Sequence, residues 1–335
     1  TQLTVRQPFL GSNITTPLAF IAQDQKMFSL LGRFNYTFRD KYVLTSTFRR
    51  DGVSKFSEDN RYGFFPSFAF AWRAGSEAFI KNLDQKFDYV FHLAAMVGGR
   101  EVIEKNPIAV SDDLSIDSHF WQWAVRVKPK KTITFSSSAC YPIKYQTKEN
   151  NILLKEDLIK FDQSIGLPDL TYGWAKLTTE YLGKIAFENY GLKSVAYRPF
   201  SGYGVDQDLN YPFPSICKRV YQNKSKDRIT VWGTGDQQRD FIHIEDCVAG
   251  VTSTMDKVND GSAINLSTGK LTSFKEFVKI TSNILGFEPF IEGTSNKPEG
   301  VFARGGDTQL QNQLGFKSKI TFTNGIKEAL NYFDT

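Results

Sequence analysis

From Ser29 to Arg50 the chain alternates with period two. Phe34, Tyr36 and Phe38 fall on one side and Arg33, Asn35, Thr37 and Arg39 on the other, and Arg39-Asp40-Lys41 then turns the chain. The next run repeats the pattern through Tyr42, Leu44 and Phe48, and a third, Pro66 to Arg73, through Phe68, Phe70 and Trp72. Such alternation predicts antiparallel β-hairpins with an aromatic and a polar face. A soluble β-sandwich and an outer-membrane barrel both produce it, since a barrel turns one face to lipid and the other to its lumen.

After about residue 85 the period changes. Phe87 to Gly99, FDYVFHLAAMVGG, is an apolar strand that gives way to small residues, where a backbone can approach a bulky cofactor at Ala94 and Ala95. Leu114 to Val127 carries a helical stripe, and Lys131 to Pro142, KTITFSSSACYP, is a short strand that breaks into serines. Hydroxyls at the C-terminal edge of a parallel strand lie where open α/β sheets hold ligands, so Ser136, Ser137 and Ser138 are candidates for a reacting hydroxyl's partner. Leu167 to Leu182 opens on Pro168 and Asp169, good helix-start residues. It continues with an apolar stripe of Leu177, Tyr181, Leu182, Ile185 and Ala186. On that helix Tyr172 and Lys176 stand at i and i+4, on one face. An ammonium there stabilises a phenolate and is expected to lower the tyrosine pKa, making a general base. A buried strand follows at Ser194 to Pro199, then a helix from Pro212 to Asn223 and strands at Ile229 to Trp232 and Arg239 to Ile242. Helices are expected again at Cys247 to Met255, capped by His243 and Asp246, and at Ser273 to Leu285.

Composition narrows the function classes. In 335 residues, 41% hydrophobic content is enough for a buried core, whether as one large α/β domain or as two or three domains. The net charge of +5 is scattered, without a run of like charges, which argues against a nucleic-acid surface. Cys140, Cys217 and Cys247 are widely spaced, and His92, His119 and His243 form no metal-ligand spacing, so a reducing compartment and no metal are expected. No run of 18 apolar residues predicts a membrane helix. The chain opens at Thr1 without a signal peptide, which suggests an interior start.

Five motifs in order then carry a resemblance: HLAA, the serine run with its following Tyr-Pro, Tyr172-x-x-x-Lys176, RPFSGYG at Arg198 to Gly204, and GTGDQQRDFIHIEDC at Gly233 to Cys247. Residues 85–335 resemble the extended short-chain dehydrogenase/reductase family, specifically its NAD-dependent nucleotide-sugar epimerases and dehydratases. The Gly98-Gly99 pair resembles the fucose-synthase and mannose-epimerase branch. The resemblance implies a Rossmann-like doubly wound parallel sheet with a small C-terminal substrate domain, mainly residues 205–335. It also implies an NAD or NADP cofactor, a nucleotide-diphosphate sugar substrate, a cytoplasmic location, and a homodimer formed through the helices at 114–127 and 171–188.

Carried over residue by residue, the resemblance makes Tyr172 and Lys176 the base pair, with Ser137, or Ser138 if the spacing has slipped, as the substrate-facing hydroxyl. It places Ala94, Ala95, Tyr172, Lys176 and Pro199 against the cofactor, and Gly99, Arg239 and Arg304 against the substrate. Cys140 stands where related epimerases place an acid/base cysteine, and Asp113 or one of its neighbours where the family usually has an asparagine. The family's glycine-rich turn, whose backbone amides cradle the pyrophosphate, is not found before the HLAA strand, so an incomplete sheet and an impaired cofactor site are expected. Residues 1–84 instead resemble late barrel strands of TonB-dependent outer-membrane receptors of the starch-utilisation type, which implies a chimera. The alternative to an enzyme is a non-catalytic chimera or a fragment of such a transporter.

Overall fold

The computed structural model describes residues 27–53, 62–73, 87–96, 98, 100–224, 226–294 and 299–333. The chain divides into two compact units, Thr1–Gln85 and Lys86–Thr335.

In the first unit, strands β1 (Met27–Phe38), β2 (Tyr42–Val53) and β3 (Tyr62–Trp72) form an antiparallel sheet in that order. Arg39 and Asp40 adopt φ of 51° and 54°, and Lys41 N–H donates to the Phe38 carbonyl at 3.1 Å. Two left-handed central residues are the turn geometry that matches strand twist in a hairpin. The register sets Leu44 opposite Tyr36 on one side and Phe70 on the other. One face thereby gathers the rings: Phe34, Tyr36 and Phe38 stack along β1, and Tyr42 stacks on Phe70 across the sheet. The alternation read from the sequence is present, and these rings are largely exposed, with Phe68 and Phe70 each at 67%.

The second unit is built on a parallel sheet of β4 (Tyr89–His92), β5 (Lys131–Phe135), β6 (Ser194–Pro199) and β11 (Asp260–Leu266), in the order β11-β6-β5-β4. Successive residues of a strand face opposite sides, and β6 shows the result. Ser194 and Arg198 meet helix α3 (Leu170–Tyr190) through Gly183 and Glu180, while the Tyr197 hydroxyl meets Val251 and Thr254 of α5 (Ile244–Thr254). The sheet is therefore covered on both faces, with Ile133, Val195, Ile264 and Leu266 packed under α5. Helix α2 (Ser111–Val127) lies beside α3, where Trp121 packs with Ala124, Ala186 and Leu192 and its indole N–H donates to Thr179 at 3.0 Å. Trp121 is a packing residue, as expected of a large buried aromatic.

This is the expected Rossmann-like α/β architecture, preceded by hairpins. Among the described residues β4 is the last strand of the sheet. Its Tyr89 and Phe91 and the following Leu93 are 42%, 43% and 67% exposed, unusual for parallel strands, which are normally buried on both faces.

A second core, centred on Phe213, Phe241, Phe277 and Ile326, joins α4 (Pro212–Gln222), α6 (Phe274–Ile284) and α8 (Phe322–Phe333). Around it β8 (Arg228–Trp232) pairs with β13 (Phe290–Thr294), and β7 (Ser201–Tyr203) with β10 (Phe241–His243). Short β9 (Gln238–Arg239) lies between β12 (Thr272–Ser273) and β14 (Ala303–Arg304). Two short helices, α1 (Arg100–Lys105) and α7 (Gln309–Gln313), complete the unit. His243 and Asp246 are structural, as expected. The His243 ring accepts the Glu245 N–H at the start of α5, and Asp246 accepts the N–H groups of Lys319 and Ile320. Among the described residues no helix is long and apolar enough to cross a membrane.

Candidate active site

Helix α3 begins where expected but is tied down differently. Asp169 occupies the cap position without a side-chain capping bond, because its carboxylate is taken by Arg100 and Arg304. The buried face of α3 also differs from the apolar stripe. Lys176, Thr179 and Glu180 point inward beside Leu177 and Ala186, while Tyr181 is 44% exposed.

Tyr172 and Lys176 do meet, with the Lys176 Nζ 5.6 Å from the centre of the Tyr172 ring. The Ser137 side chain lies near that of Tyr172, and both line one cavity, so the serine run and the helix converge on one place. The expected lowering of the phenol pKa is not what results. Burial pushes Tyr172 well above its ordinary value, the charge of Asp113 and the neighbouring Tyr211 add to this, and the nearby Ser137 hydroxyl opposes it only in part. The i,i+4 spacing sets the contact, but the surrounding apolar walls set the sign.

The alignment of helix and serine loop depends on Gly173. A Cβ there would stand 2.4 Å from the Ala139 carbonyl oxygen and 2.9 Å from the Pro168 side chain. Gly173→Ala is therefore expected to destabilise the fold by roughly 1–3 kcal/mol through overpacking, read by urea unfolding. A variant as stable as the parent would show that the loop moves freely and that the close approach is unimportant.

The other expected site residues separate. Ser137 and Tyr172 line a cavity of about 560 Å³, whereas Ser138 is buried in the turn behind it. Ala94 and Ala95 come two and three residues after β4 and Pro199 ends β6, all at the carboxyl edge of the sheet but outside this cavity. Gly99 lies outside the described residues. Cys140 is fully buried beneath the serine loop, its Sγ 3.5 Å from Glu180 Oε1, and burial and then Glu180 raise its thiol pKa. It belongs to the packing and not to the cavity. Asp113 accepts the Met96 N–H through Oδ1, while Oδ2 is buried with no partner among the described residues and burial raises the carboxyl pKa.

Arg239 and Arg304 line the same cavity as Tyr172, together with two arginines not singled out from the sequence, Arg100 and Arg219. With Lys105 they make five cations against three carboxylates in the lining, Glu101, Asp169 and Glu299. Burial, then the neighbouring Arg304, pushes the Arg239 pKa down to about 9. It still carries its charge at neutral pH, in a desolvated place.

The model of the family described as NAD dependent epimerase/dehydratase matches residues 39–267, a span that begins inside the antiparallel sheet. GDP-mannose 3,5-epimerase 1 of Oryza sativa subsp. japonica is 30% identical over 250 residues, covering 72% of this chain and 63% of the relative. GDP-mannose 3,5-epimerase of Arabidopsis thaliana is 30% identical over 257 residues, covering 73% and 64%. The chain thus spans less than two thirds of the length of these curated relatives. Among solved structures, UDP-glucose 4-epimerase of Thermotoga maritima with UDP-glucose superposes with a TM-score of 0.63 at 23% identity, over 74% of this chain and 77% of that one.

Proposed function

The chain belongs to the NAD-dependent epimerase/dehydratase family, and from that premise we propose that it acts on a nucleotide-diphosphate sugar. In this reading Tyr172, assisted by Lys176, takes the proton from a sugar hydroxyl while the Ser137 hydroxyl holds the same oxygen. The observation that carries it is the shared cavity: Ser137 and Tyr172 open on the same space as Arg100, Arg219, Arg239 and Arg304. A sugar joined to a diphosphate needs that combination, because guanidinium groups pair with phosphate through charge-assisted, bidentate bonds. The excess of two cations in the lining matches the two negative charges of a diphosphate diester.

The residues present fit NAD or NADP at the nicotinamide end. Tyr172 and Lys176 supply donors for ribose hydroxyls, the orphaned Asp113 Oδ2 is a buried acceptor, and Ala94, Ala95 and Pro199 offer small or rigid walls. When bound, the cofactor would supply a hydride acceptor. At its diphosphate end the fit is poor, because β4 is the last strand among the described residues and no glycine-rich turn precedes it. Cofactor binding is accordingly impaired in this reading, and the enzyme part is cytoplasmic. Pairing of two chains through α2 and α3 belongs to the same reading.

The test is calorimetric titration with GDP-mannose and UDP-glucose. Arg239→Gln is expected to weaken binding by roughly 10- to 100-fold, the loss of one to two hydrogen bonds to a charged group. Absence of binding by either sugar nucleotide at millimolar concentration would reject the substrate class.

A second reading concerns the first unit alone, and its exposed ring-lined face carries it. Alternation of rings and polar groups along strands of this length fits a lipid-facing wall, and it supports descent from an outer-membrane receptor. Flotation with liposomes tests this; a chain that remains wholly in the aqueous fraction counts against it.

A further inference from the structure

Arg239 and Arg304 are register partners in the parallel ladder between β9 and β14. Paired strands lie about 4.8 Å apart, so two guanidinium side chains leave neighbouring backbone positions, an arrangement that like charges disfavour. Arg100 joins them from α1. A Cβ built on Gly300 would lie 3.1 Å from Arg100 Nη1 and 3.3 Å from Arg239 Nη2.

One carboxylate already sits among these three cations. Arg100 Nη1 donates to Asp169 Oδ1 at 3.0 Å and Oδ2 at 2.9 Å, and Arg304 Nη2 donates to Oδ2 at 2.6 Å. The Asp169 side chain is 9% exposed. Burial favours its neutral form, but Arg304 and then Arg100 outweigh this and hold the carboxyl below its ordinary range. Arg304 is fixed further by donation to Gln146 Oε1 at 2.6 Å. Among the described residues the hydrogen bonds of Arg239 go to the backbone carbonyls of Gln238 and Glu299, and its guanidinium lies 5.8 Å from the centre of the Phe274 ring.

Asp169 also heads the helix that carries Tyr172. Its N–H donates to the Ala139 carbonyl, in the loop after Ser137, and its carbonyl accepts the Gly173 N–H. The next residue, Leu170, is held at φ 55°, a left-handed conformation that is strained for a leucine, without the local hydrogen bonds that let asparagine and aspartate adopt it. The first turn of α3 is therefore in a strained state while its cap residue is engaged elsewhere.

We propose that Asp169 is a resident counter-anion, a latch that holds Arg100 and Arg304 until the diphosphate of the substrate displaces it. Occupation of the phosphate site is then transmitted to the first turn of the catalytic helix. The proposal rests on the nucleotide-sugar reading above and deepens it, adding Arg100 to the phosphate-binding groups and making Asp169 a positioning residue. Glu104 also pairs with Arg100, through Nε at 2.5 Å, so three guanidinium groups and two carboxylates leave an excess of one positive charge. The excess becomes two once Asp169 is displaced, and a diphosphate can neutralise it with better bidentate geometry. Once released, the Asp169 carboxylate stands at a helix N-terminus, where it can accept a first-turn N–H and is favoured by the helix dipole.

Inorganic pyrophosphate is the probe, titrated by calorimetry into the full chain, Asp169→Asn and Arg100→Gln, with thermal melting as a folding control. Asp169→Asn is expected to bind pyrophosphate about tenfold more tightly, equivalent to ~1.4 kcal/mol, because no internal anion competes. Arg100→Gln is expected to bind it about tenfold more weakly by the same measure. In the unsubstituted chain, pyrophosphate is expected to slow hydrogen exchange at Thr171 to Gly173, a readout of the first turn. Equal or weaker binding by Asp169→Asn overturns the latch and leaves the arginine cavity standing as a substrate site. If that variant does not fold, Arg100→Gln binding as well as the parent overturns it. No pyrophosphate or sugar-nucleotide binding by the parent chain removes the substrate reading and the latch together.

Discussion

Tyr172→Phe is expected to lower kcat by about 10²–10⁴-fold while leaving KM for the sugar nucleotide nearly unchanged. The phenol oxygen is the only atom removed, and the side chain that carries it lies near Ser137 in the lining of the arginine cavity. The ring, its contact with Lys176 and the packing of α3 remain. The pH dependence separates a base from a structural hydroxyl. Burial and the charge of Asp113 raise the Tyr172 pKa, so at neutral pH only a small fraction is ionised. Turnover by the unsubstituted chain should therefore rise by about tenfold per pH unit on the alkaline side of neutrality, and the phenylalanine variant should lose that slope. Steady-state rates measured at saturating NAD(P) across that range decide the matter. A variant that keeps a large share of the activity, or keeps the slope, would place the base elsewhere.

Much of the architecture is legible in hydrophobic period alone. The switch from alternation before Arg73 to helical stripes after Leu114 marks the two kinds of structure, and His243, which caps α5, could be named in advance. The Tyr172–Lys176 contact was also legible, since spacing on a helix places the two side chains together. Its electrostatics were not, because desolvation depends on elements far away in the chain, such as Asp113 on α2 and Tyr211 before α4.

The arginine cluster was half visible. Arg239 and Arg304 stand in recognisable motifs, but their adjacency needs a ladder of two-residue strands too short for any periodicity to reveal. Arg100 sits on a six-residue helix before Pro107, in a stretch whose pattern reads as mixed. The inward face of α3 was misread for a related reason. A polar residue reads as solvent-facing unless its buried partner is known, and the partners of Glu180 and Thr179 lie on β6 and α2. One signal was available: Arg198 interrupts an otherwise apolar strand and demands a buried anion.

That anion is Glu180, and Glu180→Ala is expected to cost about 3–5 kcal/mol, read from urea or thermal unfolding. Both side chains are nearly inaccessible, at 3% for Arg198 and 2% for Glu180. Arg198 donates through Nε at 2.9 Å to Oε1 and through Nη2 at 2.6 Å to Oε2, and its Nη1 reaches the Tyr141 hydroxyl at 2.9 Å. Tyr141 in turn donates to Asn265 at 2.7 Å. The network thus ties α3, the serine loop, β6 and β11 together beneath Ser137 and Tyr172. Truncation strands a desolvated guanidinium, whereas replacing both partners by apolar residues of similar volume does not. Glu180→Leu combined with Arg198→Met should accordingly recover most of the lost stability. The double variant should still be slow in turnover, because Tyr141 loses the Nη1 donor that anchors the loop carrying Ser137. A Glu180→Ala protein within about 1 kcal/mol of the parent, inside the range typical of exposed pairs, would mean that water reaches Arg198. The alignment of loop and helix would then rest on the Gly173 contact alone.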